Sequence, residues 1–118
     1  DGEILGKPGT REAAIAQLSQ ASGRSVTFYT GVCVLDTTNG QLQVDCVPFT
    51  VHFRQLSNTQ ICRYVERDQP FDCAGSFKSE GLGVSLFSAT EGEDASSLVG
   101  LPLIRLCSML NHAGVAIP

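Results

Sequence analysis

The feature that most constrains the fold is an Asn39-Gly40 pair between two long runs of β-branched and aromatic residues. Both residues tolerate positive φ, and this pair is the strongest short-range signal for a β-hairpin. Residues 25–36 form the first predicted strand and residues 41–54 form the return strand. The apolar positions of the return strand change phase near residues 46–48, which predicts a β-bulge there. The chain must therefore contain an antiparallel sheet.

Two helices flank the predicted hairpin in the sequence. Thr10 is a favourable N-cap, and the apolar spacing after it predicts a helix over residues 10–22. After the hairpin, Ser57 and Gln60 form an S-x-x-Q capping box, which predicts the start of a second helix. Pro70 ends that helix, because proline cannot continue the backbone hydrogen-bond ladder.

The rest of the chain alternates loops with short elements. A short strand is predicted over residues 84–87, and residues 91–97 are predicted to be a polar loop. Pro102, as the first helical residue, predicts a last helix that Gly114 closes. The order helix, strand, strand, helix, strand, helix indicates an α/β or α+β mixed sheet that needs further strands. We therefore expect residues 1–118 to be one partial domain, the carboxy-terminal portion of a longer protein.

Charge and cysteine content restrict the class of protein. Eight Lys and Arg against twelve Asp and Glu give a net charge of −4, whereas proteins that coat nucleic acids or membranes are basic. No apolar run approaches the ~18 residues of a membrane span. The five cysteines form no C-x-x-C pair, so we expect reduced thiols that pack as small apolar side chains, and a catalytic thiol has no local signature. These features predict a cytoplasmic protein that binds neither nucleic-acid polymers nor membranes.

Two glycine-flanked segments carry polar groups that core packing does not explain. Residues 6–9, Gly-Lys-Pro-Gly, stand directly before the first predicted helix, where Lys7 and the helix N-terminus would attract a phosphate. The alternative is an ordinary turn with a solvated lysine. Residues 73–83 are rich in Gly and Ser and have Lys78 and Glu80 at their centre. A carboxylate there would accept two hydrogen bonds from a purine edge, and the alternative is a surface loop without a ligand.

Six short motifs follow one another along the chain at one spacing: Gly6-Lys7-Pro8, Ser22-Gly23, Tyr29-Thr30-Gly31-Val32, Val51-His52-Phe53-Arg54, Ala74-Gly75-Ser76-Phe77-Lys78-Ser79-Glu80-Gly81 and Val99-Gly100-Leu101-Pro102-Leu103. This series resembles the Maf family of nucleoside triphosphate pyrophosphatases over essentially the whole chain. The Ser-Phe-Lys-Ser-Glu-Gly stretch at residues 76–81 is similar to the branch that hydrolyses 7-methyl-GTP. The branch that acts on dTTP and UTP carries a tyrosine and an Ile-Gln-Gly stretch there instead.

The resemblance implies a Maf/ITPase-like fold, in which a central twisted sheet is flanked by helices. It also implies hydrolysis of 7-methyl-GTP to 7-methyl-GMP and pyrophosphate with Mg²⁺ or Mn²⁺, and a homodimer. Lys7 matches the family's phosphate-binding lysine, and Glu80 matches its base-selecting position. A carboxylate suits 7-methylguanine, because this base is cationic and presents two adjacent N–H donors. Lys78 is left to hold either the loop or the phosphates.

Two motifs of the family's amino-terminal half are missing from this sequence. They are a Ser-Pro-Arg-Arg phosphate loop and a Gly-Ser/Ala-Asp motif whose aspartate serves as catalytic base. That aspartate would lie upstream of Asp1, which matches a hairpin turn instead. We therefore expect no catalytic residue here and almost no activity from this chain alone, since a general base contributes about 10²–10⁴-fold. Two alternatives stay open: a non-catalytic nucleotide-binding or regulatory module linked to inhibition of septum formation, and an unrelated α+β domain.

Overall fold

A computed structural model of the protein describes residues 6–118. Within that range the helices and strands are α1 (Arg11–Ala21), β1 (Ser25–Asp36), β2 (Gln41–Phe53), α2 (Asn58–Asp68), β3 (Phe87–Gly92) and α3 (Leu103–His112). Three short 3₁₀ turns lie at Ala74–Ser76, Leu82–Leu86 and Ala95–Val99. The strands form an antiparallel sheet in the order β1-β2-β3. The predicted mixture of helices and sheet is confirmed, while the turn assigned to Asp1 lies outside the described residues.

Helices α1 and α2 begin where their capping residues predict. The Thr10 hydroxyl accepts a hydrogen bond from the backbone N–H of Ala13 at 3.2 Å. The Ser57 hydroxyl accepts from the N–H of Gln60 at 3.1 Å, and the Gln60 side chain accepts from the N–H of Ser57 at 2.8 Å. This reciprocal pair completes the predicted capping box, and α2 ends before Pro70.

The hairpin pairs its strands in one register. The hydroxyls of Thr27 and Thr50 are 2.8 Å apart, and the Ser25 hydroxyl lies 2.5 Å from Nδ1 of His52. Along β2 the more buried residues alternate with the more exposed ones and keep one phase to its end, so the bulge predicted at residues 46–48 is wrong. The apparent change of phase came from apolar side chains on the exposed face of the strand, namely Leu42, Val44 and Cys46.

The third strand begins later than the sequence predicts. Residues 84–86 belong to the 3₁₀ turn Leu82–Leu86, so the strand predicted over residues 84–87 is wrong except at its last residue. Hydrogen bonds wind this segment into a turn: the N–H of Leu82 donates to Asp68 at 2.8 Å, and its carbonyl accepts from the Ser85 hydroxyl at 2.6 Å. Tertiary contacts have overridden the strand propensity of the valine and leucine side chains.

The polar stretch at residues 91–97 is also more ordered than predicted. Strand β3 extends into it, and Asp94 caps the 3₁₀ turn Ala95–Val99. The second oxygen of Asp94 accepts from the backbone N–H of Ile104 at 2.7 Å, so one carboxylate also caps α3. Pro102 is the N-cap of α3 and not its first helical residue.

The described chain divides into two compact units. The first combines the segment that ends at Val26 with Val51–Thr90 and contains α1 and α2. Its core includes an edge-to-face cluster with ring centroids 5.1, 5.4 and 5.8 Å apart, formed by Phe53, Phe77 and Phe87. The second combines Thr27–Thr50 with Glu91–Pro118 and contains α3. That residues 1–118 form one partial domain stays a prediction.

In the second unit, α3 lies against the hairpin. Met109 is buried, and its carbonyl accepts from the Gln43 side chain at 2.8 Å. Arg105 contacts the carboxylates of both Asp45 and Glu93, the latter at 2.6 Å. Among residues 6–118 no helix has both the length and the apolar character that crossing a membrane requires.

Candidate functional site

The glycine-flanked segment that contains Lys7 is attached to the first unit by two hydrogen bonds. The N–H of Gly9 donates to the carbonyl of Phe71 at 2.9 Å. The carbonyl of Gly6 accepts from the Gln17 side chain at 3.2 Å. Lys7 is exposed between these two attachment points, a few residues before the N-terminus of α1. The predicted phosphate-binding lysine therefore lies beside the second candidate segment, which follows Phe71.

Gln17 also holds that second segment. Its side-chain oxygen accepts a 2.5 Å hydrogen bond from the hydroxyl of Ser76, which is completely buried. Ser76 has a positive φ of 66°, a conformation that is costly for a residue with a side chain and that neighbouring contacts must maintain. One amide side chain on α1 thus binds both of the loops that the sequence singles out.

The charges of both loops act on a single thiol. Burial raises the pKa of Cys73, and among the neighbouring charges Lys78 and Lys7 lower it while Glu80 and Asp72 raise it. Charges act on a titrating group over several ångströms, so these four side chains are within electrostatic range of the thiol. The loops that carry Lys7, Lys78 and Glu80 are thus joined through Gln17, and the roles of the three charged side chains stay predictions.

The loop that carries Glu80 is anchored at both ends on α2. The N–H of Lys78 donates to the Tyr64 hydroxyl at 2.8 Å, and the N–H of Leu82 donates to Asp68 at 2.8 Å. Glu80 lies between these anchors with its side chain exposed. An exposed carboxylate on an anchored loop can meet a ligand without first paying for the ordering of its backbone.

A cavity of about 260 Å³ lies along α2, beside the loop that carries Glu80. Arg63 and Arg67 stand on its wall, together with Tyr64 and Leu82. None of Lys7, Lys78 and Glu80 lines it. The candidate site is the surface of the two loops that carry these three residues, and the cavity lies beside the second of these loops.

The described residues do not form a metal centre of their own. Within residues 6–118, no three His, Cys, Asp or Glu side chains come together in a way that could hold a metal ion. Mg²⁺ in nucleotide sites is usually bound by one or two carboxylates and the substrate's phosphates. A metal bound here would therefore depend on the phosphates of the substrate for most of its ligands.

The sequence alone does not reveal the role of three residues of this region: Gln17, Tyr64 and Asp68. Gln17 occupies an ordinary polar position on α1, and the sequence does not distinguish Tyr64 from an aromatic residue of the core. Only the i, i+4 spacing of Tyr64 and Asp68 carried a signal, because that spacing puts both side chains on one face of α2. The spacing alone did not indicate which loop they would meet.

Comparison with known proteins gives a consistent result. The sequence model of the family described as Maf-like protein matches residues 2–113. The 7-methyl-GTP pyrophosphatase of Pseudomonas aeruginosa is 66% identical over the whole chain, which covers 62% of that relative. The protein of the same name from Pseudomonas savastanoi pv. phaseolicola is 62% identical with the same coverage. One from Alcanivorax borkumensis is 58% identical over 98% of the chain and 59% of the relative. The chain thus spans about three fifths of the length of these curated relatives.

Proposed function

The chain belongs to the Maf-like protein family, and on that basis we propose that the protein containing it is a nucleoside triphosphate pyrophosphatase. The proposed reaction is hydrolysis of the α–β phosphoanhydride of 7-methyl-GTP to 7-methyl-GMP and pyrophosphate. The choice of substrate is supported by curated relatives named 7-methyl-GTP pyrophosphatase, which are 58% to 66% identical to this chain. The observation that carries the proposal is that one side chain, Gln17, binds both the segment that contains Lys7 and the loop that contains Lys78 and Glu80.

Lys7 is proposed to bind the phosphates of the substrate. It is exposed, it follows a glycine, and it lies a few residues before α1, whose N-terminal partial positive charge favours an anion. Lys78 is proposed to add a second positive charge from the neighbouring loop. Two cations at this place match the triphosphate, which is the most highly charged part of the substrate.

Glu80 is proposed to read the base. A carboxylate accepts two hydrogen bonds side by side, and guanine presents its N1–H and N2–H donors side by side. Methylation at N7 adds a positive charge to the ring, which strengthens both hydrogen bonds. A pyrimidine imide edge offers one donor between two acceptors, so a carboxylate meets at least one repulsive oxygen there.

The residues assigned here bind the substrate and do not remove a proton. No side chain of this chain is proposed as the catalytic base, so we propose that turnover needs a group outside these 118 residues. Mg²⁺ or Mn²⁺, a homodimer, a central twisted sheet of the Maf/ITPase-like type and a cytoplasmic location remain parts of the proposal. The free thiols of all five cysteines support a reducing compartment. The regulatory alternative has no observation of its own in its favour.

The test is a pyrophosphate-release assay on the whole protein that carries this sequence, with Mg²⁺ or Mn²⁺ present. The substrates are 7-methyl-GTP, GTP, dTTP and UTP, and the variant is Glu80→Gln. We expect kcat/KM for 7-methyl-GTP to fall roughly 10- to 100-fold in the variant, because a hydrogen bond to a charged group contributes about 1.5–3 kcal/mol. UTP hydrolysis should change less.

The matched control is Glu66→Gln, which makes the same chemical change on the exposed surface of α2. It should leave the rates with all four nucleotides unchanged. Absence of pyrophosphate release from every nucleotide would refute the enzymatic proposal. Equal loss with all four substrates in Glu80→Gln would refute the base-reading role.

A further inference from the structure

Two side chains on one face of α2 hold the two ends of the loop that carries Glu80. The hydroxyl of Tyr64 accepts from the N–H of Lys78, and the carboxylate of Asp68 accepts from the N–H of Leu82, each at 2.8 Å. Tyr64 and Asp68 are separated by one helical turn, which matches the short span of the loop. Both anchors act on the backbone, so they fix where the loop lies whatever side chains it carries.

The loop is also closed internally and has little room to shift. The N–H groups of Gly81 and Gly83 both donate to the carbonyl of Lys78, at 3.2 and 3.0 Å. A Cβ atom at Gly81 would collide with the carboxylate of Asp68, and one at Gly83 would collide with the carbonyl of Lys78. Gly83 is therefore required by its close approach to backbone, whereas a side chain at Gly81 would displace the Asp68 carboxylate that anchors the loop.

Tyr64 is well suited to act as a permanent anchor. Its side chain is buried, and its hydroxyl accepts from the N–H of Lys78 at one end of the loop. Burial raises the pKa of Tyr64 far above its ordinary value, and the neighbouring Asp68 raises it further, while the N–H of Lys78 acts in the opposite direction. The phenol therefore stays protonated and neutral at every pH at which the protein would work.

We propose that Tyr64 and Asp68 are positioning residues that set base selectivity by holding the backbone on both sides of Glu80. This inference rests on the proposed function. Two parallel hydrogen bonds from one carboxylate to a base edge tolerate only small displacements, whereas attraction between opposite charges is not directional. Loosening the loop should therefore weaken the hydrogen-bonded discrimination against pyrimidines more than the charge-based preference for the methylated purine.

The test uses Tyr64→Phe and Asp68→Ala in the whole protein. Tyr64→Phe keeps the buried ring and removes only the hydroxyl. We expect KM for 7-methyl-GTP to rise about tenfold with little change in kcat, because one lost hydrogen bond of ordinary strength corresponds to roughly a factor of ten. The kcat/KM ratio of 7-methyl-GTP to UTP should fall by a similar factor, and the ratio to GTP should fall less.

Two comparisons separate positioning from general loss of stability. Asp68→Asn keeps an oxygen acceptor for the N–H of Leu82, so it should recover most of the selectivity lost in Asp68→Ala. Tyr64→Phe combined with Glu80→Gln should be no less selective than Glu80→Gln alone, since the anchor acts through Glu80. A merely structural role would lower the activity with all nucleotides together and would add to the effect of Glu80→Gln.

Tyr29→Phe is the matched control, because Tyr29 is the other tyrosine of the chain and is 73% exposed in the second unit. Amide hydrogen exchange over residues 78–82 should be about tenfold faster in Tyr64→Phe and unchanged in Tyr29→Phe. This measurement tests the anchor without any enzymatic activity. An inactive wild type would refute the proposed function and the selectivity claim with it. An active wild type whose selectivity survives both Tyr64→Phe and Asp68→Ala would refute the positioning role alone.

Discussion

Gln17 is the side chain whose replacement should most clearly separate binding from folding. In Gln17→Met, two hydrogen bonds are lost while the length and volume of the side chain are kept. The hydroxyl of Ser76 loses its 2.5 Å acceptor in a completely buried position, and the carbonyl of Gly6 loses its 3.2 Å donor in an exposed one. The buried loss dominates, since water can replace the donor at Gly6.

The expected cost follows from these two environments. A buried hydroxyl left without a partner costs about 1–3 kcal/mol, and an exposed hydrogen bond contributes roughly 0.5 kcal/mol. We therefore expect Gln17→Met to lower the free energy of unfolding by about 2 kcal/mol. For a chain of this length that corresponds to a decrease in Tm of about 8 °C, at roughly 4 °C per kcal/mol.

Thermal unfolding followed by circular dichroism measures the loss, with Gln20→Met as the control at an exposed position on the same helix. Gln17→Glu removes only one of the two hydrogen bonds, because the carboxylate still accepts from Ser76 but cannot donate to the carbonyl of Gly6. It should retain most of the stability and still raise KM for the nucleotide, because the segment that carries Lys7 is released. Equal Tm values for Gln17→Met and Gln20→Met would show that Ser76 does not depend on Gln17 and would contradict the expected loss.

Two further outcomes follow from the titrating groups. Hydrogen bonds from Ser96 and from the backbone of Ile104 lower the pKa of Asp94 in the folded state. The ionised carboxylate therefore stabilises the fold above the unfolded-state pKa of Asp94, and this stabilisation is lost as the pH falls through the folded-state pKa. The difference in Tm between the wild type and Asp94→Asn should accordingly shrink on acidification below about pH 4, and a constant difference would contradict this. Burial raises the pKa of Cys73, so iodoacetamide at pH 8 should alkylate this thiol more slowly than those of the exposed Cys33 and Cys46. Peptide mass spectrometry measures the three alkylation rates, and preferential labelling of Cys73 would contradict this expectation.

The elements that the sequence predicts correctly are those whose signals are local. The N-cap at Thr10, the capping box at Ser57 and the Asn39-Gly40 connection each act within a few residues, so their hydrogen bonds are implied by the sequence itself. The errors lie where distant contacts decide. Val84 and its neighbours have strand propensity, but this segment forms a turn. The turn is held by a hydrogen bond from Leu82 to Asp68, which lies fourteen residues away along the chain. The exposed apolar residues of β2 similarly suggested that its apolar face changes sides, because the sequence alone does not distinguish exposed apolar side chains from buried ones.

The same difference separates the candidate site residues that sequence finds from those it misses. A residue that meets the ligand must supply a particular chemical group, such as the cation of Lys7 or the carboxylate of Glu80, and flanking glycines mark it. A residue that holds a loop needs only an acceptor or a donor at the right point in space, which the amide of Gln17 and the phenol of Tyr64 supply equally well. Because many side chains meet that requirement, the identity of the supporting residue carries little information in sequence. Its role becomes visible only when the distance to the loop backbone is known.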